Sequence, residues 1–289
     1  MIQENTSPGT DSPLARTILF LVHSNLLISF AATGMAVATM VLADLRIRPV
    51  PLFIVFAVTL FVYSFNRIVD VAEDKRNVPD RAAFVSRYGR PLLAVGVVLY
   101  AAAAVFVALQ GVPGGPALGL PLVIAWLYST VGLKRILLVK NLLVGLSWGL
   151  IPTGVGVYYG VFPDAKLLFF AGFTTTVLTI AAAVFDIKDI EGDRAEDIRT
   201  VPIVVGLAWT RRLAAGAASL LGVVVVGTVL AGFLPPLYLV LVGYTGYVAG
   251  YSLVATRERG SLFYGFVIDS EQIWLALALL CYEFLPQLA

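Results

Sequence analysis

Nine apolar runs, each close to the roughly 20 residues that cross a bilayer as a helix, fill this chain and leave little room for anything else. They fall near 17–43, 49–66, 91–110, 114–133, 141–160, 167–185, 213–233, 237–255 and 270–288. In lipid every backbone N–H and C=O must be satisfied inside the segment itself, so runs of this length predict helices, not isolated strands. The expected fold is all-α: a polytopic membrane protein of about nine transmembrane helices. Composition agrees, because only 13% of residues are charged and the mean hydropathy is +0.91, against roughly 25% charged in a soluble domain. Soluble enzymes and nucleic-acid binders are excluded on that ground.

The 289 residues are read as a polar N-terminal segment, 1–16, followed by one membrane domain, 17–289. The first apolar run is too long for the core of a cleavable signal peptide, so the N-terminus is expected to be retained. The single cysteine, Cys281, cannot form an intramolecular disulfide or a thiolate metal site, and a buried small side chain is expected there. Asp269 and Glu271 open the ninth run, so the preceding "SLFYGFVI" is read as an interfacial helix along the membrane surface.

Basic residues set the orientation. With nine spans, all but Arg46, Arg48 and Lys166 of the 20 Lys and Arg lie on the face that carries the N-terminus. The positive-inside rule makes that face cytoplasmic. The two longest polar segments, 67–90 and 186–212, both lie on it, and their shared acidic start hints at an old duplication of the chain.

Each of those segments opens on a row of carboxylates. In "YSFNRIVDVAEDKRNVPDR", Asn66, Asp70 and Asp74 stand four apart, which places them on one helical face. In "DIKDIEGDR", Asp186, Asp189 and Asp193 follow at i, i+3 and i+7, again one face where the helix continues. Carboxylates at membrane depth are costly unless paired or bound to cations. Hard oxygen ligands with no histidine or thiolate beside them suit Mg²⁺, which takes one or two carboxylates and shares its other positions with phosphate oxygens. Two facing rows would hold two such ions and a diphosphate between them. Arg67, Arg76, Arg81, Lys134, Arg135, Lys188, Arg194 and Arg199 lie in or beside these segments, available to phosphate oxygens.

"NRIVDVAED" and "DIKDIEGD" are similar to the N-x-x-x-D-x-x-x-D and D-x-x-D-x-x-x-D motifs of the UbiA-type intramembrane prenyltransferases, and "YSTVGLKRILLVKNLLVGLSWG" resembles the connection between that family's fourth and fifth helices. The resemblance runs from about residue 17 to the end. It implies a helical bundle around a central cavity with a cytoplasmic cap, and Mg²⁺-dependent ionisation of an isoprenyl diphosphate whose prenyl group passes to a lipophilic acceptor. By the same resemblance Asp70, Asp74, Asp189 and Asp193 are the metal ligands and catalytic carboxylates. Asn66 is a further diphosphate ligand, Asp186 a supporting acid, and Tyr128 and Lys134 diphosphate contacts. Arg67, Lys188, Arg194 and His23 complete the expected substrate-binding set. Arg67 stands where many members carry Asp, and "NVPDRAAFVSRYGRP" departs from the family's usual loop.

An allylic cation needs a dry cavity, and aromatics such as Tyr63, Trp126, Tyr128 and Trp148 are candidates for its wall. Two other functions compete: a terpene or carotenoid cyclase or elongase on the same scaffold, and an ion-coupled transporter. The D-G-x-x-A-R signature of CDP-alcohol phosphotransferases is absent. His23, the one histidine, is expected inside the bundle as a satisfied polar residue. It cannot form the bidentate pair that an arginine makes with a carboxylate, so the acceptor is expected to be neutral at this end: a phenol, a quinone precursor or a glycerol ether lipid.

Overall fold

The computed structural model describes residues 12–123, 136–195 and 197–284, and among them every regular element is helical. The N-terminal half holds α1 (Pro13–His23), α2 (Leu26–Leu42), α3 (Pro49–Val69), α4 (Val71–Asn77) and α5 (Pro79–Gln110). The rest holds α6 (Val139–Tyr159), α7 (Ala165–Phe185), α8 (Ile190–Ala195), α9 (Val201–Val205), α10 (Leu207–Leu230), α11 (Val240–Val254) and α12 (Glu271–Phe284). A π-helical turn, Phe263–Ile268, leads into α12.

Local chemistry explains the ends. Proline opens α1, α3 and α5, where its missing N–H has no intrahelical partner in any case. Asp164 caps α7, accepting from Lys166 N at 2.8 Å. Gly111 and Gly160 end α5 and α6 with positive φ, the left-handed turn that glycine adopts without a Cβ penalty.

Among the described residues seven helices are long and apolar enough to cross a membrane, and α1 with α2 makes an eighth as a pair bent by 72°. The expected continuous first span, 17–43, is therefore broken. Asn25 sits at the break with φ 62° and donates from Nδ2 to Ser64 Oγ. The second half of the expected span at 114–133 lies on residues 124–133, outside the described residues. The ends that flank it lie apart, since Gly114 touches Val157 near the end of α6 and Val139 begins that helix.

Two further expectations need correction. The third spanning helix is longer than the expected run 91–110, because α5 already starts at Pro79. "SLFYGFVI" is not a surface helix: Phe263, Tyr264, Gly265 and Ile268 are buried and the turn belongs to the last span, Phe263–Glu283. Its apolar side chains fill the bundle instead of facing a membrane surface, and Gly265 lies against Val22 with no room for a Cβ.

α2 packs against α3, α6 and α12, and the circuit α6, α7, α10, α11, α12 closes back on α2. The core is carried by Ala31, Ala32 and Met35 of α2 with Phe170, Phe173 and Val177 of α7. Gly145 and Gly149 let α6 approach α7 until they meet Thr179 and Thr175, the close small-residue packing of membrane helices. Val98, Leu220, Val223 and Leu230 face outward, as a lipid-facing surface requires. Cys281 is exposed on that surface, not buried. Contact between α3 and α6 is slight, and the space between them is a cavity.

Candidate active site

The first acidic row survives a break in its helix. α3 ends at Val69 and α4 begins at Val71, yet Asp70 N reaches Asn66 O at 2.8 Å and Asp74 N reaches Asp70 O at 2.9 Å. These are helical i to i−4 bonds, so Asn66, Asp70 and Asp74 stay on one side through the bend. Asn66 and Asp70 line the cavity between α3 and α6. Asp74 is buried and gripped by Arg81, whose Nε donates to Oδ2 at 2.8 Å while Nη2 donates to Oδ1, the bidentate fork of a strong charge-assisted pair.

The second row is not one continuous face. After Phe185 the backbone tightens, with Ile187, Lys188 and Asp189 N–H groups each reaching back three residues, and helix resumes only at Ile190. Lys188 Nζ lies 2.5 Å from Asp189 Oδ2. Asp186 takes Lys140 Nζ at 2.6 Å and Asn141 Nδ2 at 2.9 Å, and Asp193 lies 3.9 Å from the same ammonium. α4 and α8 touch, which brings both rows to one end of the bundle.

Burial raises the Asp186 carboxyl above its usual range despite Lys140 and Asn141. Burial pushes Asp189 up as well, but Lys188, Lys140 and Arg81 together outweigh it and hold that carboxyl low. Burial also lowers the Lys188 ammonium, with Arg81 and Arg67 adding to the effect against Asp189. A cation-rich end that keeps Asp189 ionised is suited to hard ligands.

Among the described residues no three carboxylates converge closely enough to hold an ion by themselves. Asn66 Oδ1 and Asp189 Oδ1 are nevertheless buried with no hydrogen-bond partner. Orphaned hard oxygens on both rows fit Mg²⁺, whose coordination is normally completed by phosphate and water.

Two cavities meet here. The larger, about 450 Å³, is walled by Val55, Val58, Val62, Leu143 and Ile151 and follows α3 from Pro51 to Asp70, about 28 Å at 1.5 Å rise per residue. Trp148 Nε1 donates to Tyr63 OH at 3.2 Å, so two of the expected aromatics do line it. The smaller, about 220 Å³, is bounded by His23, Arg67, Arg81, Lys188, Arg259 and Asp269. Tyr63 and Arg67 border both.

His23 is buried as expected but not satisfied: its Nε2 has no hydrogen-bond partner among the described residues, and the residue lines the smaller cavity. Arg194 and Arg199 are exposed. Trp126, Tyr128, Lys134 and Arg135 lie outside the described residues. Sequence reasoning missed Lys140 and Asn141, whose only signal was two polar residues opening an apolar run. It also took Asp269 for a span boundary.

The sequence profile of the UbiA prenyltransferase family matches residues 27–264. The chain belongs to this family. Among solved structures, a UbiA homologue from Aeropyrum pernix K1 in its apo form aligns with TM-score 0.63 at 18% identity, over 92% of this chain and 98% of that one. A digeranylgeranylglyceryl phosphate synthase aligns with TM-score 0.54 at 16% identity, over 92% and 96%. At such identities the likeness speaks for the UbiA fold. No curated protein sequence matches the chain.

Proposed function

We propose that this UbiA-family protein is an integral membrane prenyltransferase that ionises an isoprenyl diphosphate and transfers the prenyl group to a lipophilic acceptor. The observation that carries this reading is the apolar cavity ending at Asn66, Arg67 and Asp70, beside both acidic rows. A long apolar chain fits the cavity, and its charged head then meets the only kind of surroundings that suit it.

Asp70, Asp74, Asp189 and Asp193 are the residues that would hold Mg²⁺, with Asn66 and Asp186 in support. The metal, when bound, neutralises charge on the diphosphate and makes it a better leaving group. Arg67, Lys188 and Arg81 border the site and stabilise the negative charge that builds as the allylic C–O bond lengthens. Tyr63 and Trp148 shield the resulting cation from water and present π faces to it. The transporter reading lacks a carrying observation, because the carboxylates lie at helix ends and not at mid-span. Cyclisation or elongation would use the same ionisation and differs only in what attacks the cation.

The expectation of a neutral acceptor rested on there being no guanidinium near His23. Arg67, Arg81 and Arg259 share its cavity, so we favour an acceptor with an anionic headgroup. A prenylated glyceryl phosphate, the type of product named for the synthase above, combines that headgroup with an ether lipid.

The test is radiolabelled geranylgeranyl diphosphate with purified protein in nanodiscs. Release of diphosphate and labelling of geranylgeranylglyceryl phosphate are expected with Mg²⁺ and absent in EDTA; equal activity in EDTA would remove the mechanism. Sidedness is checked separately. Cysteines at the exposed positions Ser86 and Ala195, in a Cys281→Ser background, are expected to react with an impermeant thiol reagent only after the membrane is opened.

A further inference from the structure

Five carboxylates at the motif end of the bundle are engaged: Asp74 by Arg81, Asp189 by Lys188, Asp186 and Asp193 by Lys140, and Glu191 by Arg257. Asp269 differs. It lines the smaller cavity and its carboxylate makes no hydrogen bond or ion pair with any described residue, although Arg67, Lys188 and Arg81 lie near enough to act on it through charge. A carboxylate at this depth without a direct partner is costly and therefore a functional candidate.

Its mounting supports the same conclusion. Asp269 directly follows the π-helical turn Phe263–Ile268, and such turns are rare and concentrate at functional sites. The turn is fixed on two sides: Tyr264 OH donates to Thr256 O at 2.8 Å, and Gly265 sits against Val22 of α1. Two residues further on, Glu271 is locked in place by Tyr251 OH and Gln272 Nε2, each at 2.9 Å. One acidic pair thus splits its roles, with Glu271 tied into the bundle and Asp269 turned to the cavity.

The cavity has a second unsatisfied group. His23 is 7% exposed and its Nε2 has no hydrogen-bond partner among the described residues. It approaches from α1, whereas Asp269 approaches from the last span, and Tyr63 and Arg67 connect this space to the prenyl cavity.

We propose that the smaller cavity holds the nucleophilic hydroxyl of the acceptor and that Asp269 is the catalytic base that takes its proton. The proposal rests on the prenyltransferase reading. In the step, the bond from the allylic carbon to the diphosphate oxygen breaks and its electron pair leaves on the diphosphate. A new carbon–oxygen bond forms from the acceptor hydroxyl, whose proton passes to the Asp269 carboxylate. His23 positions the acceptor by a hydrogen bond and carries no proton away. Asp74, Asp189 and Asp193 are unsuited to this task because cations already engage them, and Asp70 lines the larger cavity and not this one, whereas Asp269 is presented to the smaller cavity without a side-chain partner to displace.

The experiment separates ionisation from transfer. Asp269→Asn keeps the side chain's size, and its product distribution from geranylgeranyl diphosphate and geranylgeranylglyceryl phosphate is compared with wild type. Transfer is expected to fall about 10²-fold, in the range set by loss of a general base, while diphosphate release falls much less. Water then captures the cation, and geranylgeraniol becomes the main product. Asp269→Glu is expected to restore part of the transfer, and thermal unfolding of all three proteins should coincide. Transfer by Asp269→Asn close to the wild-type rate would overturn the proposal, as would equal loss of transfer and diphosphate release in a folded protein. A switch to geranylgeraniol in His23→Gln in place of Asp269→Asn would assign the base to His23 and overturn it too. Wild-type protein that releases no diphosphate at all would instead refute the prenyltransferase reading beneath it.

Discussion

The larger cavity is walled by valine, leucine and isoleucine along α3; the smaller is bounded by four arginines, a lysine, a histidine and three acids, Asp80, Glu258 and Asp269. An apolar wall attracts a chain without fixing it, since the hydrophobic effect has no direction. Polar groups fix orientation, because hydrogen bonds and ion pairs are short and angular. On the proposed reading a division of labour follows: one cavity would measure how much chain fits, and the other would decide which atom faces the cation. Tyr63 and Arg67 border both, which is where the two substrates would meet on that reading.

The largest expected effect comes from the boundary itself. On the proposed reading, Asp70→Ala or Asp189→Ala removes a hard oxygen that would hold the metal, and Asp189→Ala also leaves Lys188 without its carboxylate partner. Turnover is expected to fall by about 10²–10³-fold or more, the scale for losing one electrostatic stabiliser of a transition state. Radiometric transfer assays on each variant in nanodiscs decide this, and near wild-type turnover in both would dissociate the motifs from the chemistry.

A smaller effect is expected from filling the apolar cavity. Val58 lines its middle, so Val58→Trp should shorten it without touching either acidic row. Turnover of geranylgeranyl diphosphate is expected to fall about tenfold relative to geranyl diphosphate, the scale on which a pocket discriminates chain lengths. An unchanged ratio would show that the chain lies elsewhere.

The same division explains what was legible in the sequence. Helices and their approximate positions followed from apolar length alone, because lipid leaves the backbone no other choice. The first acidic row was legible from spacing, since its periodicity survives the bend at Asp70, whereas the second was legible as a cluster but not as one face. Three features were not legible, each for a physical reason. The break at Asn25 depends on a left-handed residue and a long-range bond to Ser64. The tightening after Phe185 gives Lys140 a role that spacing within one segment cannot show. Asp269 faces a cavity because a π-helical turn rotates it there, and no hydropathy pattern signals one extra residue per turn.

The smallest effect concerns His23, and its value lies in two readouts that move in opposite directions. A buried ring nitrogen without a partner lowers stability by about 1–3 kcal/mol, the desolvation penalty of an unsatisfied group. His23→Leu removes that penalty while keeping apolar volume beside Phe84, whose ring lies 5.7 Å from the imidazole. The ligand-free variant should therefore melt at or above the wild-type temperature. The same change deletes one hydrogen bond to the acceptor, worth about 1.4 kcal/mol or a factor of ten. The KM for geranylgeranylglyceryl phosphate is expected to rise about tenfold, with kcat and the KM for geranylgeranyl diphosphate within about twofold of wild type. A purely structural histidine would give the reverse, a lower melting temperature and equal loss toward both substrates. That outcome would remove the polar cavity from acceptor binding and leave the apolar cavity and the acidic rows as they stand.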